Sequence, residues 1–516
     1  MKIRDIYISS CSAAFELDND LCYASAEKYT VYVNGKPSES FHENVFSLFD
    51  LSPDTEYVVY TSMNSQPISF RTKAESCCIN VRDFGTVGDG LQDDTRAIQA
   101  AILVCPEGGR IRIPKGVYLI SPITLKSHIT VELMEGAVLL GSADEKDYSV
   151  LPGQVLSADG TIVECASWEG QPAASHQSLL SAYYSEDVHI VGKGVVDGNA
   201  QNSTWWIDVK KRPIARPKLL FMNRCKNVDI HGLRFQNSPS WNLHPYRSEH
   251  IGFYQVSVNA PKDSPNTDGC NPESCDSVEI IGSRFSVGDD AIAIKSGKLY
   301  EGKMETVPAS RHTIRNCLME SAHGAVVLGS EMSGGIRELS VSQCLFKDTD
   351  RGLRIKTRRG RGKDAVVDGV TFENIRMDGV LTPLVMNMYY FCDPDGKSDY
   401  VQNKSALPVD VRTPYLGHFR FKNMVCTNCS VAAGFFYGLP EQPIAEVEIS
   451  DVMFTFRNDA QKGHPAMMLD IGEFSRSGLL FYNVRKVKTR NVTMTGVPGK
   501  KVGLQNVGDW EKDDAD

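Results

Sequence analysis

Short alternating strands, each closed by a turn residue, recur through most of this chain and restrict what it can fold into. Asn227-Val228-Asp229-Ile230-His231-Gly232-Leu233-Arg234-Phe235 is followed by Ser277-Val278-Glu279-Ile280-Ile281-Gly282-Ser283-Arg284-Phe285. Further copies run from His312 to Cys317, from Glu338 to Phe346 and from Gly369 to Ile375, with Asn316, Gln343 and Asn374 at the turn. The spacing, about 22 to 35 residues, is that of a stack whose units bury their apolar faces only against neighbours. Each strand must bury one face while its edges pair with the strands before and after. This predicts an all-β fold, a right-handed parallel β-helix (a solenoid), over residues 79–516. A β-propeller is the rival, but no blade signature or regular four-strand grouping is present. Longer intervals at about 144–177, 298–311 and 390–415 break the rhythm and are expected to project as loops that wall a groove.

Residues 1–78 read as a separate small β-sandwich. Tyr29-Thr30-Val31-Tyr32-Val33 alternates, Asn34-Gly35 is a hairpin turn, and strand runs follow at 57–60 and 68–71. Leu51-Ser52-Pro53-Asp54-Thr55-Glu56-Tyr57 resembles the tyrosine corner of fibronectin type III domains, in which the hydroxyl bonds back to the upstream backbone. A spacer or packing role is expected of this module, since it carries no catalytic constellation. Beyond it, Gly88-Asp89-Gly90 is turn material, and Asp93 or Asp94 can N-cap a helix running through Ala97, Ile98, Ala101 and Ile102 to about Cys105. Such a helix is placed to cover the open end of the stack. The acidic cluster is turn and cap rather than a calcium loop, because no glutamate completes an EF-type pattern.

Of the 516 residues, 41% are hydrophobic and 23% charged, the balance of a soluble globular protein. A net charge of −9 argues against nonspecific nucleic-acid binding, so an acidic substrate needs a local basic pocket. No apolar run is long enough for a membrane span, and Met1-Lys2-Ile3-Arg4-Asp5-Ile6 lacks the apolar core of a signal peptide. The expected setting is the reducing cytoplasm, or outside the cell if a signal has been removed. Among the fourteen cysteines, Cys225, Cys317 and Cys344 lie beside apolar strands as small hydrophobes. Cys426-Thr427-Asn428-Cys429 has no second pair to complete a zinc site, so neither metal nor cofactor is expected.

Four short bursts carry the chemistry: Asn266-Thr267-Asp268-Gly269, Gly288-Asp289-Asp290, Ala322-His323-Gly324 and Arg354-Ile355-Lys356. On a stack of coils they converge on one face. Neighbouring strand residues point to opposite faces, so Asp289 and Asp290 share a cleft only if the chain bends there, as Gly288 permits. Clustered carboxylates raise the proton affinity of at least one. Arg354 and Lys356 are two apart, face one side and suit a substrate carboxylate. Singly, the aspartates are turn residues, the histidine is structural, and the run through Arg358, Arg359, Arg361 and Lys363 is a nucleic-acid patch. Without interleaved aromatics, and with the bursts taken together, one site is the better account.

The four bursts match, in order, the signature motifs of polygalacturonases of glycoside hydrolase family 28. Ser238–Trp241 and Gly329–Gly335 look like that family's bacterial members, and the resemblance runs from about residue 79 to beyond 456. The resemblance implies single-displacement, inverting hydrolysis of α-1,4-linked galacturonic acid in oligosaccharides or polygalacturonate. It assigns Asp289 as acid and Asp268 with Asp290 as the water-activating pair, with His323 bonding Asp289 or the substrate. Arg354 and Lys356 would hold a uronate carboxylate and Asn266 would contact substrate. The family's sugar-facing tyrosine is Tyr389 or Tyr390, with Tyr389 taken first. The three long intervals, the fibronectin-like module and the missing signal point to exo action from the non-reducing end. Alternatives are a rhamnogalacturonan or xylogalacturonan hydrolase on the same fold, a calcium-dependent pectate lyase, and a non-catalytic β-helical carbohydrate-binding or tail-fibre protein.

Overall fold

In the computed structural model, residues 2–299 and 306–513 are described, so the centre of the interval expected at 298–311 lies outside the described residues. The repeats wind into a parallel β-helix with three ladders. The first carries Lys226–His231, Glu249–Tyr254, Asp276–Ile281, Ala309–Arg315 and Ile336–Ser342, paired parallel and in register. A second carries Arg234–Gln236, Ser257–Asn259, Arg284–Ser286 and Leu318–Glu320. The third runs through Leu220–Asn223 and Leu243–Tyr246, and then through Ile292–Ile294, Val326–Gly329, Arg351–Lys356 and Thr382–Asn387. Alternation along each strand is what fills the core. Val228, Ile251 and Val278 stack inward, as do Phe235, Val258 and Phe285. Cys225, Cys317 and Cys344 are buried among them, as small hydrophobes should be.

The turn residue of each repeat sits at the corner between the first and second ladders. Gly232, Gln255, Gly282, Asn316, Gln343 and Asn374 all have left-handed backbone, with φ between +49° and +79°. Glycine and asparagine tolerate that conformation best, which is why they mark the repeat in the sequence. At the first end of the stack, helix Thr95–Val104 buries Ile98, Ala101 and Ile102 in the core, beside Val81–Phe84 and Ile123–Thr124. The two aspartates before it divide the work. Asp93 accepts the Thr95 N–H at 2.9 Å, while Asp94 turns back to accept from Val87 and Gly88 at 2.8 and 2.9 Å.

The N-terminal residues form two antiparallel sheets. One holds Lys2–Ile8, Ala13–Asp18 and Val45–Leu48; the other holds Lys36–Glu43, Ala24–Val33, Glu56–Thr61 and Asn64–Arg71. Phe15, Tyr29, Phe46, Val59 and Phe70 pack between them. The Tyr57 hydroxyl accepts the Ser52 N–H at 2.8 Å, the upstream bond its surrounding residues suggest. This sandwich lies along the flank of the helix, against the row of corners. Phe49 stacks on His231 beside Gly232, with centroids 4.9 Å apart. Gln255 donates to the Val45 carbonyl at 2.6 Å, and the Val45 side chain fills the space a Cβ on Gly282 would need. Glu16, itself buried, accepts from Arg315 and Asn316 at 2.6 Å each. The Tyr23 N–H donates to the Gln343 carbonyl at 2.8 Å, and the Cys22 thiol to that of Asn374 at 2.9 Å.

Candidate active site

The third ladder and the turn leading into it carry the four bursts. Cys270 bridges Ile292, which pairs with Val326 and, through it, with Leu353. Asp268 and Asp290 each stand two residues ahead of a bridged position, so they occupy the same place on consecutive coils. The Gly269 N–H donates to the Asp290 carbonyl at 3.0 Å. Asn242 holds the Asp268 carbonyl through its backbone and side-chain amides, both at 2.9 Å, and Asn271 donates to the carboxylate at 3.1 Å.

Thr267 ties the first burst to the second. Its hydroxyl accepts the Gly288 N–H at 3.1 Å and lies 2.6 Å from the Ser264 hydroxyl. Gly288 is required by proximity rather than by φ: a Cβ there would overlap the Ser264 carbonyl and lie 2.7 Å from that of Pro261. The expected bend is present, as residues 288–290 leave the strand between Arg284–Ser286 and Ile292–Ile294. The Asp289 carboxylate folds back to accept the Asp290 N–H at 3.0 Å.

The carboxyls occupy opposed electrostatic settings. Asp290 is almost fully buried between Arg354 Nη1 at 3.1 Å and Lys356 Nζ at 2.6 Å. Burial alone would favour its neutral form, but Lys356 and Arg354 hold it well below the usual carboxylate range. Among the described residues, no cation lies within ion-pair distance of Asp268. Burial, and then the Asp289 carboxylate, pushes it up to about 8, with Lys295 opposing. Asp289 is more open, and His323 Nδ1 lies 3.3 Å from its Oδ1, a bond that raises the histidine's pKa. Arg354 and Lys356 do face one side, as their spacing requires, and both meet Asp290; the second Arg354 nitrogen lies 2.6 Å from Met467 Sδ.

The other expected site residues lie further from the carboxylates. Asn266 takes a left-handed turn, φ +55°, and its Oδ1 accepts from Arg216 at 2.6 Å. Tyr389 is fully buried, edge-on to Tyr437 and beneath Lys404 Nζ, 3.8 Å from the ring centre. Tyr390 instead has Lys356 Nζ 5.7 Å from its ring. Consecutive residues leave the ladder on opposite sides, and the place expected for Tyr389 beside the cations is held by Tyr390.

Several buried charges were not singled out from the sequence. Lys295 lies 2.8 Å from Glu331 and 4.8 Å from the Trp241 ring centre. Lys218 donates to the Ser167 carbonyl at 2.7 Å among Trp168, Phe221 and Trp241, and burial lowers its pKa to about 8. Glu273 pairs with His244 at 3.0 Å. The usable signal was a lysine closing the apolar run Ala291-Ile292-Ala293-Ile294; Lys218 has no such local mark.

Two long segments pack as straps against the third ladder. Residues 144–177 run from the coil of Trp241 to that of Asp290: Trp168 stacks on Trp241 at 5.2 Å, and the Gly170 carbonyl accepts the Lys298 N–H at 2.9 Å. Residues 457–476, an interval the sequence did not flag, cross the later coils. Arg351 donates to the His464 and Pro465 carbonyls at 2.6 and 2.8 Å, Asn387 to that of Met467 at 3.1 Å, and Gln402 accepts the Leu469 N–H at 3.0 Å.

A parallel β-helix that gathers three carboxyls, a histidine and two cations on one face suits carboxylate acid–base chemistry. Residues 108–411 match the glycosyl hydrolases family 28 profile. A probable polygalacturonase of Vitis vinifera is 33% identical over 392 residues, 74% of each chain. An exo-poly-alpha-D-galacturonosidase of Dickeya chrysanthemi is 25% identical over 496 residues, 84% of this chain and 77% of the other. In fold, the chain matches the family 28 exopolygalacturonase of Yersinia enterocolitica with a TM-score of 0.72 over 98% of both chains, at 21% identity. The chain belongs to glycosyl hydrolase family 28 and is a glycoside hydrolase.

Proposed function

We propose that the protein hydrolyses α-1,4-linked galacturonic acid in pectin-derived galacturonans, with inversion, releasing single residues from the non-reducing end. The observation that carries this reading is the Asp290 carboxylate held ionised between Arg354 and Lys356, one coil from the proton-holding Asp268. Asp289, the most open carboxyl and the one bonded to His323, protonates the glycosidic oxygen. Asp268 and Asp290 hold the water that attacks the anomeric carbon from the opposite face, and the ionised Asp290 takes its proton. Lys356 and Arg354 keep further N–H donors for a uronate carboxylate beside Asp290. Tyr390 meets the sugar, and Asn266 shapes the approach to Asp268. The relatives named for galacturonan cleavage support the substrate class, and the two straps support end-on access.

The raised pKa of Asp268 favours a second assignment, in which that residue supplies the proton. An aryl galacturonide with an acidic leaving group separates them, because such a substrate needs no general acid. Asp289→Asn should lose about 10²–10⁴ in turnover on oligogalacturonate and recover most of it on the aryl substrate. Recovery by Asp268→Asn instead would transfer the acid role. The first-formed product should be the β-anomer by NMR.

The N-terminal sandwich is read as fibronectin type III-like, with residues 1–78 bracing a catalytic domain of 79–516. The enzyme is placed in the cytoplasm, acting on imported oligomers without nucleic-acid or membrane partners. Cell fractionation tests that placement: activity found with the medium or the envelope would overturn it.

A further inference from the structure

The end of the stack away from the capping helix carries a groove of about 720 Å³ that the reaction does not use. There Ser477–Thr495 and Val502–Asp513 pair in parallel, Leu479 with Val502, Val487 with Trp510 and Thr489 with Lys512. Val492, Met494, Leu504 and Trp510 give the groove an apolar wall, and Lys500, Lys501 and Lys512 give it a basic one. Leu504 is 41% exposed, and the Trp510 ring is fixed by its Nε1, which donates to the Thr489 hydroxyl at 3.0 Å. No aspartate or glutamate lines the groove, in a chain of net charge −9. Glu511 points to the other face of its strand from Trp510 and is paired with Lys486 at 2.5 Å. Along the third ladder Lys356 pairs with Asn387, Asn387 with Tyr437, Tyr437 with Tyr482 and Tyr482 with Gln505. The groove therefore begins four coils beyond Lys356, ~19 Å along the stack.

An apolar wall facing a basic one calls for a ligand that offers both characters. A second copy of this chain does not, because an isologous contact would set the same lysines against one another. A uronic-acid chain does: each pyranose ring has an apolar C–H face for Trp510 and Leu504, and each residue brings one carboxylate to the ammonium groups.

We propose that this groove is a second galacturonan-binding site, which holds a polymer on the enzyme without cutting it. The proposal rests on the galacturonan reading above and adds to it a site apart from the carboxylates. A chain held there is present at the active site at a raised effective concentration, so the groove serves long substrates and not a dimer, which cannot occupy both sites at once.

The test joins affinity electrophoresis through polygalacturonate gels, run on Asp289→Asn so that the matrix is not cut, with kinetics on otherwise wild-type enzyme. In the gels, adding Trp510→Ala or the pair Lys500→Gln and Lys501→Gln should weaken retention about threefold or more. In the kinetics, the lysine pair should raise KM for long polygalacturonate by a similar factor at unchanged kcat, and turn over the galacturonate dimer within about twofold of wild type. The lysines are at the surface, so that pair keeps the test decisive if Trp510→Ala does not fold. Unchanged retention and unchanged polymer KM would overturn the site. Equal retention in a polyglutamate gel, insensitive to Trp510→Ala, would overturn it as well, because charge alone would then be at work. A dimer of the protein in sedimentation velocity that the variants dissolve would assign the groove to contact between copies. Dimer-substrate turnover falling in step with polymer turnover would reduce the lysines to support of the fold. Failure of wild type to cut either substrate would remove the galacturonan reading itself, an outcome visible without any variant.

Discussion

At the scale of single residues, the site depends on how unequal neighbouring carboxyls have been made. Asp290 owes its ionised state to Lys356 and Arg354 rather than to solvent. Removing one cation should let burial act: in Lys356→Met the Asp290 pKa rises, and the acid limb of kcat/KM moves to higher pH as its level falls about 100-fold. A pH profile that keeps its acid limb would separate Lys356 from that carboxylate. Asp268 gives the opposite sign. Its proton is held to about 8, so activity that uses that proton is present below this pH and fades as pH rises through it. The tyrosines can be told apart directly. Tyr390→Ala should lower kcat/KM about tenfold, the worth of roughly 1.4 kcal/mol of contact. Tyr389→Phe, altered behind the coil, should leave it unchanged.

At the scale of elements, the bend at residues 288–290 takes Asp289 and Asp290 out of the ladder and toward Asp268 and His323. Gly288→Ala meets the Ser264 and Pro261 carbonyls, which are backbone and cannot swing away. The substitution should cost about 1–3 kcal/mol of stability and reduce activity more than that loss explains, because Asp289 and Asp290 move with the bend. Urea melts alongside kinetics measure both; a stable, fully active variant would show the approach to be loose. The bend was legible because Gly288 precedes two aspartates that must share one side. The repeat was legible for a similar reason, since the same alternation and the same left-handed corner return on every coil. Tyr389 and Tyr390 cannot be told apart in the sequence, because nothing local says on which side a chain leaves its ladder. Lys218, Glu273 and the strap at 457–476 escaped notice because their meaning comes from coils far away in sequence.

At the scale of the whole molecule, the sandwich and the helix share buried polar groups, and acid should loosen them. His231 is enclosed between the hydroxyls of Ser12 and Ser47, at 3.0 and 2.7 Å, and burial lowers its pKa to about 3. The unfolded chain therefore takes up this proton first. The contribution is intact above about 6.5 and declines by about 1.4 kcal/mol per pH unit as pH falls toward 3. Glu16, which burial opposes but Arg315 and Arg4 hold low, loses its contribution in the same direction at lower pH. Stability should fall between pH 7 and pH 5 more in wild type than in His231→Gln, by about 2 kcal/mol in denaturant titrations. Equal slopes would place the acid sensitivity elsewhere.

The row of corners has a further consequence. From Gly232 to Asn374 the sandwich meets the turn residue of coil after coil, each through a different side chain or carbonyl. A stacked fold lengthens or shortens most simply by gaining or losing a whole turn. Here any such event between those corners would throw every later contact out of phase with a partner of fixed length. The sandwich therefore works as a ruler laid against the stack, and the divisions it counts enclose Asp268, Asp289, Asp290, His323, Arg354 and Lys356. Changes in length are left to the coils outside that row.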